Sequence, residues 1–454
     1  MQVVTISCSP REVITASPVR RHPAWDTESS GVLGILYGEG AYNHANRIFK
    51  LRSAQYPMIE RDISAELRRS AAEYPVVTLL GPRQSGKTTL ARMAFPDKAW
   101  ISLEDPDVRM AAEMDPRGFL GEISAGAILD EVQRVPALLS YLQGLVDRDG
   151  TRGRFILTGS HQPALHQAIS QSLAGRTAVL TLLPFSLGEL RQYGRDQDAW
   201  DMMVQGFYPR LHEERLEVGR FYNSYLQTYV ERDVRALIQV RDLAVFQKFL
   251  TMLAGRVGQV INYASLSNDV GVSTTTIRNW LSVLMASFVV FELPPYFENI
   301  QKRVIKSPKV YFVDVGLATF LLGIRTPEQL ARDPLRGNLY ENLVIAEVLK
   351  ARYNAGQRPD LFFYRDSQGN EVDLLIREAG ALTPVEIKSA STFTPHFIQG
   401  LERFQALGAG RCAPGVVLFN GDQRFSLRGV RIFNPLAVPN PTDEILQVGR
   451  AAAS

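Results

Sequence analysis

Cysteine is nearly absent: the chain holds two, Cys8 and Cys412, at opposite ends of 454 residues. Neither a disulfide framework nor a cysteine-type zinc site is available, which suits a reducing compartment. Histidine is scarce at six, without an H-E-x-x-H pair, and His161 and His166 stand five apart, off a common helical face. No apolar run approaches the roughly eighteen residues of a bilayer crossing. The N-terminus also lacks a charged stretch leading into an apolar one. Secretion and membrane insertion are disfavoured, and a cytoplasmic protein with no membrane partner is expected. The net charge is only +3, so any basic surface has to be local. With 45% hydrophobic and 21% charged residues a core is available, and the length implies two or three domains.

Gly81-Pro82-Arg83-Gln84-Ser85-Gly86-Lys87-Thr88 meets every fixed position of the pattern G-x-x-x-x-G-K-[ST]. Val76 to Leu80, before it, reads as a buried strand, and Thr88 to Phe95, after it, as a helix. In that context the loop's amides and the helix N-terminus cradle phosphates. Gly81, Pro82, Arg83, Gln84, Ser85, Gly86, Lys87, Thr88 and Thr89 are therefore expected to bind ATP. Lys87 is assigned to the β/γ oxygens and the Thr88 hydroxyl to Mg²⁺.

Further on, Ala127-Ile128-Leu129-Asp130-Glu131 is an apolar strand that delivers two acids at its end. Asp130 is expected to hold Mg²⁺ and Glu131 to polarise the attacking water. The strand Arg154 to Ser160 ends on Ser160, a candidate γ-phosphate sensor. Trp100 to Leu103 and Ala178 to Leu183 supply further strands, and their alternation with helices predicts an α/β fold around a mainly parallel sheet.

These motifs resemble the prokaryotic AAA-type ATP-binding proteins that carry a C-terminal domain of unknown function. Leu129 to Gln133, Leu157 to Ser160, Ser172 to Arg176 and Tyr225 to Asp233 also carry the likeness, which runs from about Met58 to Phe404. The resemblance implies ATP binding. Arg176 or Arg232 would offer a guanidinium to the γ-phosphate, in cis or from a neighbouring subunit of a homo-oligomer, or serve in an ordinary ion pair.

Six segments are expected: an N-terminal extension over 1–57, poorly ordered and dispensable; the ATPase domain over 58–200; a helical connector over 201–245; a winged-helix-like domain over 246–325; a small α/β domain over 326–434; and a fraying tail over 435–454. In the winged-helix-like part, Thr274, Thr275, Thr276, Arg278 and Asn279 would face a major groove. Lys302, Arg303, Lys306 and Lys309 would lie on or near the wing, within reach of phosphates. DNA is the expected partner, although such folds also serve purely for packing.

In the last domain, the helix from Leu339 to Leu349 aims Glu341 inward, and three strand-like runs follow. Glu386 and Lys388 share one strand face, with Asp373 on the neighbouring strand. The set resembles the PD-(D/E)xK metal-dependent nuclease fold. That likeness implies Mg²⁺ at Asp373 and Glu386, and catalysis by Glu341, Asp373, Glu386 and Lys388. Two readings stay open: an ATP-hydrolysing switch that controls a nucleic-acid-binding or nuclease module, and a regulatory or assembly ATPase whose C-terminal fold only binds a partner. A P-loop kinase fits less well with the paired Asp130 and Glu131.

Overall fold

The computed structural model describes residues 58–453 apart from 161–162, 193, 195–197, 231–241, 297–306 and 408–410. The expectations for residues 1–57, and for His161, Arg232, Lys302, Arg303 and Lys306, lie outside the described residues.

Five strands build the first sheet: β1 (Val76–Gly81), β2 (Ala99–Ser102), β3 (Ala127–Asp130), β4 (Phe155–Ser160) and β5 (Thr177–Thr181). All pairings are parallel, in the order β2-β3-β4-β1-β5. Parallel strands need crossovers, and helices fill both faces. On one face Val77, Leu79, Ile128 and Ile156 pack against α1 (Ser64–Glu73) and α2 (Lys87–Ala94). On the other, Val76, Leu129 and Leu157 meet the helices between residues 106 and 172. β4 separates the strand of the phosphate loop from the strand of the acids. Thr158 of β4 thereby comes to lie beside Thr88 and Asp130.

After β5 the chain enters α3 (Leu187–Gln192) and three short helices over 199–225. A helical unit follows: α4 (Leu243–Ala254), α5 (Tyr263–Val270) and α6 (Thr274–Ala286), and then the antiparallel hairpin β6 (Val290–Leu293) and β7 (Lys309–Phe312). Asn262 caps α5 and Ser273 caps α6, while Gly271, at φ 89°, makes the left-handed turn between them. Phe246, Phe249 and Trp280 close the core of this unit, with ring centroids 5.3–5.8 Å apart.

The last unit opens on α7 (Arg336–Asn354). The strands β8 (Leu361–Arg365), β9 (Glu371–Glu378) and β10 (Ala381–Lys388) form an antiparallel meander. Beyond it lie α8 (Gln399–Ala406), β11 (Arg411–Cys412), β12 (Val416–Phe419), β13 (Phe425–Leu427) and β14 (Val430–Phe433). β12 runs parallel to β10 and β14 parallel to β12. The hairpin joins this sheet directly: Phe363 N donates to Pro294 O at 3.0 Å and Tyr296 N to Phe363 O at 2.8 Å.

Two expectations are corrected. The tail is not frayed: Pro441–Ala453 forms a helix, α9, whose Ile445 and Leu446 are buried in the same core as Leu343 and Val344 of α7. Its apolar residues recur at helical spacing and find a surface to cover. Lys309 is not on an exposed wing. It begins β7 and is buried, its ammonium paired with Glu341 and Glu371 of the C-terminal unit.

Candidate functional site

The turn at Gly81 exists because nothing larger fits there: a Cβ would stand 2.1 Å from Leu182 O. Gln84 and Gly86 take left-handed conformations, which curl the loop over the start of α2. Lys87 Nζ donates to Gly81 O at 3.1 Å and Pro82 O at 2.7 Å and holds the loop as a cradle. Thr88 Oγ1 donates to Asp130 Oδ1 at 2.7 Å, and Thr158 Oγ1 donates to the same oxygen. Burial raises the pKa of Asp130 from its ordinary value, with the two threonine hydroxyls pulling the other way. Glu131 follows at φ 59°, its carboxylate accepting from Gln133 Nε2.

Ser160 ends β4 directly opposite Gly81, and its Oγ is buried without a partner among the described residues. Gln84 Oε1 is likewise buried and unpartnered. Orphaned polar atoms at the mouth of an amide-lined loop fit a phosphate group. The hydroxyl and carboxylate oxygens of Thr88 and Asp130 are hard donors suited to Mg²⁺. A cavity of about 190 Å³ adjoins the loop, lined by Met58, Ile59, Met93, Phe185 and Pro209 among others. Its apolar residues offer a face to a nucleobase, with Arg61, Gln84, Thr89, Arg210 and Glu213 as its polar lining.

Arg176 is corrected as a contributor in cis. Its carbonyl accepts from Val76 N at the start of β1, the sheet edge opposite the phosphate loop. A six-residue strand puts about 16 Å between the two edges. There it forms a two-pronged ion pair with Asp147.

Arg61 was missed by sequence reasoning, since Arg61-Asp62 reads as the polar opening of a helix. It is 6% exposed and donates to Ser85 O at 2.8 Å, Leu183 O at 2.7 Å and Glu189 Oε1 at 2.9 Å. The other Glu189 oxygen accepts from Ser186 N at 2.8 Å. One residue on, Leu187 N donates to Glu347 Oε2 of α7 at 2.7 Å. Lys350 Nζ closes the clamp, 2.6 Å from Glu347 Oε1 and 2.8 Å from Phe185 O. All four charged groups are buried. The phosphate loop is thus joined through buried polar contacts to the helix that carries Glu341.

The C-terminal acids also lie together. Asp373 Oδ2 accepts from Ile387 N at 2.8 Å and stands 3.5 Å from Lys388 Nζ, which also pairs with Glu386. Glu341 accepts from Tyr311 and from Lys309, whose Nζ is 2.6 Å from Glu371 Oε1. Burial pushes the pKa of Glu386 up to about 8 and that of Glu341 up to about 7, with Asp373 adding to both. Between a normal glutamate value and those, the folded state holds protons that the unfolded chain has released, so stability falls as pH rises. Glu386→Gln is expected to flatten the loss of thermal stability between about pH 5 and 8, read by melting curves across that range.

The oxygen donors suit Mg²⁺ chemically, and Glu386 Oε2 is buried without a partner. Their arrangement does not fit a metal ion: among the described residues no three acids, histidines or cysteines converge to hold one. Two lysines stand among the carboxylates instead.

On the helical unit, Thr274, Thr275, Arg278 and Asn279 are exposed along α6. Thr276 is half-buried, its hydroxyl engaged with Ser273. The Arg278 guanidinium lies 3.8 Å from the Tyr263 ring centroid.

Family models match three consecutive stretches: an AAA domain over residues 73–191, then a domain of unknown function (DUF8612) over 196–328 and another (DUF4143) over 336–438. An uncharacterized protein of Mycobacterium tuberculosis is 32% identical over 415 residues, spanning 90% of this chain and 90% of its own. One from Mycobacterium bovis matches to the same extent. The chain belongs to this family of AAA-domain proteins. Its first unit is a P-loop AAA-type ATPase domain. A solved Walker-type ATPase of Pyrococcus abyssi covers 58% of this chain and 96% of its own, at 16% identity and a TM-score of 0.38. In this family member no helix among the described residues is long and apolar enough to cross a membrane.

Proposed function

We propose that the protein is an Mg²⁺-dependent, ATP-hydrolysing switch whose nucleotide state controls a C-terminal nucleic-acid-binding module. Hydrolysis would use Lys87 at the β/γ oxygens, Glu131 on the water and Ser160 near the γ-phosphate, with Thr88 and Asp130 holding the metal. The metal, when bound, supplies positive charge against the charge that develops on the phosphates. Arg176 remains a candidate only as a residue given to a neighbouring copy, and Arg232 remains one in cis or from a neighbouring copy.

The observation that carries the switch reading is the buried chain from Ser85 through Arg61 and Glu189 to Glu347 and Lys350 of α7. A nucleotide that shifts Ser85 meets a polar network without slack, and the far end of that network shares a helix with Glu341. The capped α5–α6 pair followed by a hairpin supports a winged-helix reading, with Thr274, Thr275, Arg278 and Asn279 toward DNA. The order α7, β8, β9, β10 with Glu341, Asp373, Glu386 and Lys388 supports the nuclease-like reading. These acids do not converge, which leaves binding, without cleavage, as the role assigned to the module.

The test follows ATP turnover alongside binding and cleavage of plasmid and single-stranded DNA by the wild type, Lys87→Ala and Asp373→Ala. Expected are turnover lost only in Lys87→Ala, and DNA binding that changes with ATP in the wild type but not in Lys87→Ala. DNA binding indifferent to ATP, or absent, moves the protein to the second reading, an ATPase whose C-terminal fold binds another partner.

A further inference from the structure

Lys309 belongs to the hairpin by sequence, yet its ammonium sits inside the C-terminal acid cluster. The side chain is 3% exposed, with Nζ 2.9 Å from Glu341 Oε1, 2.6 Å from Glu371 Oε1 and 5.5 Å from the centre of the Phe363 ring. Its place is set by backbone pairing, not by the acids: Lys309 pairs with Leu293 across the hairpin and bridges Val260. Tyr311, two residues along and so on the same strand face, donates to the same Glu341 oxygen.

Four carboxylates, Glu341, Glu371, Asp373 and Glu386, here meet two amines, Lys309 and Lys388. Arg365 adds a third cation at the rim of the cluster, its Nε 3.5 Å from Glu371 Oε2. Buried carboxylates hold their charge only beside a cation, and an ammonium competes with a metal for the same oxygens. Lys388 lies on the strand of Glu386 and within its pair, so it travels with the acids. Lys309 comes from another unit and pairs with Glu341 and Glu371, in a cluster whose donors suit a metal in kind but do not converge on one.

We propose that Lys309 is a tethered cation lock: it occupies the cation position between Glu341 and Glu371, and the acid cluster takes a divalent metal only when this ammonium withdraws. The proposal rests on the nuclease-like reading of the C-terminal unit. It makes the hairpin, the element nearest the DNA-reading helix in sequence, the gatekeeper of the acid site. Anything that pulls β7 outward opens the cluster.

The test measures Mn²⁺ binding to the full chain by isothermal titration calorimetry, with the Asp373-dependent component isolated by repeating each titration in Asp373→Ala. Lys309→Met keeps the length of the side chain and removes its charge. It is expected to bind Mn²⁺ at this component about tenfold more tightly, or better, than the wild type. Glu371→Gln, at a half-exposed position that loosens one of the two holds on Lys309, is expected to shift affinity in the same direction by less, and covers the case in which Lys309→Met does not fold. In the wild type, acetylation of Lys309 by acetic anhydride, read by peptide mass spectrometry, is expected to be low without metal and to rise with Mn²⁺. Equal Mn²⁺ affinity in the wild type, Lys309→Met and Glu371→Gln, with Lys309 protected at saturating Mn²⁺, overturns the lock and leaves the metal reading standing. No Asp373-dependent binding in any of the three overturns the nuclease-like reading, and the lock with it.

Discussion

Lys87→Ala is expected to lower ATP turnover by about a hundredfold or more, since removing one preorganised donor to developing charge commonly costs about 10²–10³ in rate. Lys87 is also part of the cradle itself, tied to the carbonyls of Gly81 and Pro82. Loss of the ammonium therefore removes a phosphate contact and slackens the loop at once, and weaker nucleotide binding should accompany the lost turnover. Glu131→Gln provides the contrast. Its carboxylate stands at the end of β3, clear of the cradle contacts, so turnover should fall while nucleotide binding persists. Steady-state phosphate release and binding of a fluorescent ATP analogue, measured on both variants, separate the two. Lys87→Ala turning over ATP at the wild-type rate would remove the loop from the chemistry.

The second large effect is expected at Arg61. Arg61→Ala takes away three hydrogen bonds, to Ser85 O, Leu183 O and Glu189, and leaves Glu189 as a fully buried charge without its cation. Breaking one partner of such a buried pair typically costs about 3–5 kcal/mol. A clear fall in the urea midpoint is expected, with poor nucleotide binding as the Ser85 turn relaxes. Glu347→Gln acts at the far end of the same chain, where it keeps an acceptor for Leu187 N and weakens the pair with Lys350. It should leave ATP turnover near the wild-type rate while blunting the effect of ATP on DNA binding. If Glu347→Gln binds DNA with the wild-type response to ATP, the contact does not transmit the nucleotide state.

Much of the ATPase site is local and hence legible in the residues. A β-branched run, a glycine turn, Lys-Thr and a helix are contiguous, and Gly81 to Thr88 needed only neighbours in sequence to be placed. The apolar run before Asp130 and the alternation that sets Glu386 and Lys388 on one strand face are equally short-range. Glu341 was legible as an inward acid because it falls on the apolar stripe of α7, but that helix is buried nearly all round, and no periodicity names the partners on each side.

What local pattern could not carry is contact between distant segments. Arg61 reaches Glu189 across 128 residues and Lys350 reaches Phe185 across 165, separations that no local pattern spans. Lys309 looked like one more wing lysine, and only the pairing of β7 and the docking of residues 294–296 onto β8 carried it under the acids. The strand order decided against Arg176 in cis, because a parallel sheet sends the start of β5 to the edge opposite the phosphate loop. The sequence by itself determined the nucleotide cradle and the strand that presents its acids, because backbone geometry and side-chain period act over a few residues. The tertiary structure alone decided which charges are buried together and which unit supplies the cation in the C-terminal cluster, because the burial of a charge depends on everything that surrounds it.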